Sequence, residues 1–293
     1  MKMSSEGVSD VQSYEPNQYI CGGVASVVNV MVTFPINKVM FRQQVHGIRL
    51  YKAIGQLRLE GRVNMFRGLL PPLLQRTATV SLMFGTYSNF HRIIEETLPS
   101  LPYLPSHILA AVGAGTTEAI LTPFERIQVA LQVTKHHDWL QNTFHATRVI
   151  GSYGVRELYR GFSIVLLRNG PSNCVFLGLR DPLQRSLPQW ESEVGDTANA
   201  FLSGAGLGAV LSTAFFPLNV VKNRMMMDVG GRFPGIWETL QVTLKERDYR
   251  WRKMFRGVHM NYTRSFLSWG IINAVYELLK KHFPWHQYYE WTS

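Results

Sequence analysis

Apolar stretches of helical-span length alternate along this chain with segments rich in charge. Gln18–Ile36 runs for 19 residues without a charge, and Thr197–Pro217 for 21. His107–Pro123 has the same character but carries one acid, Glu118. Three further stretches, Leu69–Phe90, Phe162–Leu183 and Val258–Leu279, each hold one arginine near their start: Arg76, Arg168 and Arg264. About 20 apolar residues span a bilayer as a helix. The pattern predicts an all-α membrane protein with six transmembrane helices and short helices between them.

The pattern repeats. TFPINKVMFRQQ from Thr33, LTPFERIQVALQ from Leu121 and FFPLNVVKNRMM from Phe215 align on Pro35, Pro123 and Pro217. A second motif follows each proline: EGRVNMFRG at Glu60–Gly68, YGVRELYRG at Tyr153–Gly161 and MFRG at Met254–Gly257. Two motifs recurring in register three times mark tandem repeats of two helices each. The predicted boundaries are an N-terminal tail at 1–18, repeats at 19–98, 105–187 and 197–283, and a C-terminal tail at 284–293.

Charge placement separates a membrane reading from six buried helices of a soluble protein. The loops inside the repeats, Lys38–Arg67, Arg126–Arg160 and Lys222–Arg256, hold 21 of the 30 Lys and Arg. The loops between repeats hold only Arg92 and Arg185, with five acids: Glu95, Glu96, Glu191, Glu193 and Asp196. Such alternation is the signature of a polytopic protein with its basic loops on one side. Gly204 and Gly208, Gly22 and Ser26, and Ala111 and Gly115 are small residues four apart, which let helices approach closely in lipid.

Composition adds less. The chain of 293 residues has net charge +10, and its mean hydropathy of −0.04 hides the alternation. The positive balance suits an anionic partner. Cys21 and Cys174 have no metal spacing and read as buried small apolar residues. The N-terminus is neither a secretory signal nor an Arg-rich transit peptide. His136, His137 and Asp138 resemble a metal cluster only superficially and read as a solvated loop, so no metal site is expected. No nucleophile–base spacing and no phosphate loop appears, so an enzyme is not expected.

Two spans per repeat return the chain to the same side, so three repeats enter the membrane alike and arrange around a pseudo-threefold axis. A path along that axis is the natural solute route. The prolines, lacking an amide donor, are expected to kink their helices and draw them together at the basic-loop end. Arg76, Arg168 and Arg264 lie seven or eight residues beyond Gly68, Gly161 and Gly257, which puts them at one level. Charges inside a span are functional candidates by default. Glu118 precedes Glu125 by seven residues, two turns on the same face. Three cations and one acid suit a solute with phosphates and a cationic or hydroxyl-rich end; NAD⁺ has a pyrophosphate, two riboses and a cationic nicotinamide. ADP or coenzyme A would satisfy the arginines and leave Glu118 unexplained.

The chain resembles the mitochondrial carrier family from Tyr19 to Phe283, in Pro-x-acid-x-x-base-x-base followed by acid-Gly-x4-aromatic-base-Gly, three times. The resemblance implies six tilted helices, three short matrix helices and alternating access across the inner mitochondrial membrane. It also implies a matrix gate at Asn37, Glu125 and Asn219 facing Met40, Gln128 and Lys222. Only Glu125 and Lys222 are charged there, so the ring is depleted. Gln44 and Gln132 match the family's bracing glutamine; Met226 does not. The implied cytoplasmic gate uses Tyr276, Glu277 and Lys280, with Asp181 and His91; Gln184 and Ser88 depart from the pattern. The aromatic-Arg-Gly motifs, with Arg67, Gly68, Arg160, Gly161, Arg256 and Gly257, resemble cardiolipin sites, and Phe233-Pro234-Gly235 is a partner motif for one of them.

FPINKVMFRQQ, GTTEAILTPFERIQ, LYRG…LLRNGPSN, KHHD and NYTRSFLSWGIINAVYE resemble the family's NAD⁺-carrying subgroup. Carried over, Arg76, Arg168, Arg264 and Glu118 are substrate ligands, with Asn169, Trp269 and Asn273 further candidates; Trp269 reads as packing or as base stacking. The expected protein is a functional monomer without cofactor that carries NAD⁺ into the matrix and binds no nucleic acid. Another nucleotide or phosphorylated cofactor, such as ADP or coenzyme A, is the alternative solute. A basic soluble α-helical nucleic-acid-binding protein is the remaining one, and it would extract without detergent.

Overall fold

The computed structural model describes residues 16–97, 109, 112–113, 116–186 and 193–282. Regular structure among the described residues is helical. The first repeat holds α1 (Pro16–His46), α2 (Leu50–Leu59) and α3 (Leu70–Thr97). The second holds α4 (Thr122–Gln132), α5 (Thr143–Ser152) and α6 (Phe162–Ser186). The third holds α7 (Glu193–Ala214), α8 (Phe216–Met225), α9 (Ile236–Glu246) and α10 (Val258–His282).

The repeats close a ring. α3 packs on α4, α6 on α7, and α10 runs back along α1, so each repeat's second long helix meets the next repeat's first. The best-buried apolar residues lie at the basic-loop end. One cluster joins Phe41 and Val45 of α1 to Val129 and Val133 beside Val165, and to Met226 from the third repeat.

The prolines act differently in the three repeats. Pro35 stands inside the continuous helix α1. Pro123 and Pro217 open new helices, α4 and α8, where a missing amide costs nothing. A single-turn 3₁₀ segment, Ala119–Leu121, precedes α4, and α7 bends by 54° into α8. The expected mid-helix kink is therefore a break in two repeats, placed where proline would otherwise clash with the preceding turn.

By length and apolarity, one described helix qualifies to cross a membrane, Cys21–His46, and the bent pair Gly204–Ala214 with Phe216–Met225 qualifies together. The helices α3, α6 and α10, at 28, 25 and 25 residues, are long enough. Their charges, from Arg76 to Glu96, Arg168 to Arg185 and Arg264 to Lys281, dilute the apolar character. Cys21 and Cys174 are half-buried rather than fully enclosed, since each sits on a helix flank that faces outward in part.

Glycines end the helices where the chain must turn. Gly47 takes φ +61° directly after α1, and its amide donates to Gln43 O at 2.9 Å. Gly161, with φ +87°, lets the chain pass against Met226, where an added Cβ would come within 3.0 Å of two side-chain carbons.

Candidate substrate site and gate

Glu125 sits in the first turn of α4, directly below the break at Pro123. Lys222 of α8 reaches it across the repeat junction, Nζ to Oε2 at 2.6 Å. Both side chains are largely buried. Two further donors converge on the other carboxylate oxygen: Gln75 of α3 at 3.2 Å and Arg168 of α6 at 3.5 Å. The gate pair named from sequence is thus a four-residue knot drawing on all three repeats. Arg168 reaches down to this ion pair, a relation the repeat spacing does not reveal.

Arg168 is the hub. Its Nη1 donates to Asn219 at 3.0 Å and its Nε to Asn169 at 2.8 Å, while Asn169 donates to Glu118 at 3.2 Å. Glu118 therefore connects to the gate through side chains, although the Ala119–Leu121 turn interrupts the straight helix that its spacing implied. Asn219, a missing acid of the ring, becomes an acceptor for the arginine. Asn37 and Gln128 at the other depleted positions are half-buried and uncharged.

Gln44 accepts from Asn223 at 2.6 Å, joining α1 to α8 beside Lys222. Gln132 has a buried Nε2 with no acceptor among the described residues. The ring assigned to the opposite side, His91, Asp181, Tyr276, Glu277 and Lys280, lies outside the residues whose side chains are described.

A cavity of about 680 Å³ opens above the knot, between α6, α7, α8 and α10. Arg168 and Arg264 both line it. Arg264 donates Nη2 to Asn261 at 3.0 Å, while its buried Nε has no acceptor among the described residues. The repeats bring Arg76 near Arg264 without placing it on the cavity wall; its Nε reaches Ser26 at 3.4 Å. Trp269 and Asn273 pair one turn apart, Nδ2 to carbonyl at 3.0 Å, and neither lines the cavity. Phe176, Phe215, Tyr262 and Asn173 do line it and carried no signal in the repeat pattern.

The aromatic-Arg-Gly arginines are occupied within the protein. Arg67 donates to His137 O at 3.0 Å and to Leu140 O, in the second repeat. Arg160 donates to Gly230 O at 2.9 Å and Arg232 O at 2.6 Å, in the third. Arg256 donates to Gly47 O, in the first. The cycle is complete: each repeat's arginine caps carbonyls of the next. Phe233 lies under Arg156 and Arg160, at 5.0 and 4.8 Å from its ring centre.

The same layer buries charge. Arg126 meets Glu157 at 2.7 Å, and Arg160 meets it at 3.0 Å. Arg42 pairs with Glu60, whose carboxyl burial would raise; the Arg42 hydrogen bond and charge overcome this and hold it below its ordinary value. His136 is buried, its Nε2 2.8 Å from Met227 O, so the solvated loop expected for it is corrected. Burial lowers His137 to about 4, with the neighbouring Arg67 and Lys38 charges acting in the same direction. Burial holds both imidazoles of the repeat junction below the ordinary histidine value. Among the described residues, no group of His, Cys, Asp and Glu is arranged to hold a metal ion.

The mitochondrial carrier protein family model matches residues 12–98, 100–189 and 194–287, one copy per repeat. The chain belongs to the mitochondrial carrier family. This carrier is 46% identical to the mouse mitochondrial nicotinamide adenine dinucleotide transporter SLC25A51 over 278 residues, covering 94% of this chain and 91% of that one. The human SLC25A51 is 47% identical over 267 residues, covering 91% and 90%. A more distant human member, solute carrier family 25 member 53, is 31% identical over 283 residues, covering 92% and 89%.

Proposed function

We propose that this carrier moves NAD⁺ across the inner mitochondrial membrane into the matrix by alternating access, with six spanning helices and its basic loops on the matrix side. The observation that carries the reading is the Arg168 hub. One guanidinium lines the solute cavity with Arg264, contacts the gate carboxylate of Glu125, and reaches Glu118 through Asn169. Two arginines match a pyrophosphate through paired donors, and Glu118 supplies a counter-charge for a cationic nicotinamide. The mouse and human relatives named as transporters of this dinucleotide support the choice of solute.

In this reading a pyrophosphate competes with Glu125 for Arg168. Binding removes one donor from the knot and leaves Lys222 and Gln75 to hold it. A ligand shifts a two-state equilibrium only through differential contacts, and this exchange of partners is such a contact. The single ion pair of the depleted ring then opens more readily than a full ring.

The test is uptake of labelled NAD⁺ by liposomes containing the purified carrier, competed with ADP, coenzyme A and NADH. Saturable uptake blocked by unlabelled NAD⁺ and weakly by ADP or coenzyme A is expected. Saturable uptake of ADP or coenzyme A without NAD⁺ would transfer the site to another nucleotide.

A further inference from the structure

The cavity beside the gate is chemically one-sided. Among the residues that line it, two are arginines and none is acidic. Glu118 is not on its wall; that carboxylate lies behind Arg168, beyond Asn169. On α6, Arg168, Ser172 and Phe176 succeed one another four residues apart and form one stripe into the cavity. Asn173 lies beside that stripe, and Phe215 and Tyr262 contribute aromatic surface from the third repeat.

Resting on the NAD⁺ reading, we infer that this cavity is the adenine subsite and that the dinucleotide binds in one fixed orientation, nicotinamide toward Glu118. Aromatic faces accept either ring, so stacking alone does not choose between the two ends. Charge does. A pyridinium placed in the cavity would share it with Arg168 and Arg264 and have no acid on the wall, whereas the neutral adenine carries no such cost. At the other end, Glu118 attracts the pyridinium through a low-dielectric interior where such attraction is strong. The pyrophosphate between them falls at the two arginines, whose Nε on Arg264 still needs an acceptor.

Asn173 is the specificity-determining residue of this subsite. A side-chain amide reads adenine by accepting from its exocyclic amine and donating to its N7. Replacing that amine by a carbonyl oxygen, as in nicotinamide hypoxanthine dinucleotide, sets acceptor against acceptor and forfeits the pairing.

The experiment measures ratios within one protein, so they do not depend on how much of each variant folds. Proteoliposomes of wild type, Asn173→Ala and Glu118→Gln take up labelled NAD⁺ against unlabelled NAD⁺, nicotinamide hypoxanthine dinucleotide or NADH. The wild type is expected to prefer NAD⁺ over the hypoxanthine analogue by about tenfold. Asn173→Ala should erase most of that preference and leave the NAD⁺ to NADH ratio unchanged; Glu118→Gln should do the reverse. Equal use of both dinucleotides by wild type, an unchanged hypoxanthine ratio in Asn173→Ala, or exchange of the two phenotypes would overturn the orientation. Absence of saturable NAD⁺ uptake by wild type would instead remove the carrier reading, and the subsite with it.

Discussion

Lys222 and Glu125 meet at 2.6 Å across the junction of the second and third repeats, and Arg168 approaches the same carboxylate at 3.5 Å. Removing one partner of a buried pair leaves the other charge uncompensated, at a cost of about 3–5 kcal/mol. Glu125→Gln leaves two cations facing each other. Transport by Glu125→Gln in liposomes should fall by at least about tenfold. The charge-swapped double variant, Glu125→Lys with Lys222→Glu, should stay inactive, because the new lysine faces Arg168. Recovery in the swap would show that the pair acts alone.

Gly161 tests the close passage of the second repeat over the third. Its φ of +87° and the 3.0 Å approach to Met226 make Gly161→Ala doubly unfavourable. A loss of about 1–3 kcal/mol is expected, read as a clear drop in melting temperature in detergent. Gly170→Ala, where an added Cβ meets nothing within 4 Å, should be neutral or slightly stabilising. Equal behaviour of the two variants would show that the contact at Met226 is unimportant.

Arg160 separates a repeat-to-repeat clasp from a lipid ligand. Its guanidinium makes three hydrogen bonds, to Glu157, Gly230 O and Arg232 O, a fork that an ammonium does not reproduce. Arg160→Lys should therefore lower the melting temperature in lipid-free detergent, with the gain on adding cardiolipin unchanged. A variant of normal stability that no longer responds to cardiolipin would make Arg160 a lipid ligand.

The histidines at the junction give a pH dependence of definite sign. His137 has a folded value of about 4, below the ordinary histidine near 6.5. The unfolded chain then binds the extra proton between those values, so stability falls as pH drops from about 6.5 toward 4. His137→Gln should flatten that slope as measured by thermal unfolding at fixed ionic strength. A slope identical to wild type would place the acid sensitivity elsewhere.

Much of this arrangement was written in residue types. The prolines, the aromatic-Arg-Gly motifs and the loop charges identify the repeats because each has a distinct physical job at a fixed interval. Glu125 and Lys222 were legible as partners because they are the charged members of an otherwise neutral ring. The rest depends on acceptors that any residue provides. Arg67, Arg160 and Arg256 end on backbone carbonyls of the following repeat, and a carbonyl leaves no mark in sequence. Likewise, His136 reads as a loop residue until Met227 O is seen beside it. The breaks before α4 and α8 are hidden for a similar reason: proline announces a discontinuity but not whether it bends a helix or begins one. The cavity's bias toward Arg168 and Arg264, with Arg76 aside, arises from packing that threefold spacing averages away.

Uptake of labelled NAD⁺ into proteoliposomes by wild type, Arg168→Gln and Arg264→Gln addresses the central claim, that guanidinium groups lining one cavity carry a dinucleotide. The wild type should saturate, and each variant should lose at least about tenfold in transport, the worth of one charged hydrogen bond to phosphate or somewhat more. Wild-type rates in both variants, with NAD⁺ still taken up saturably, would contradict it.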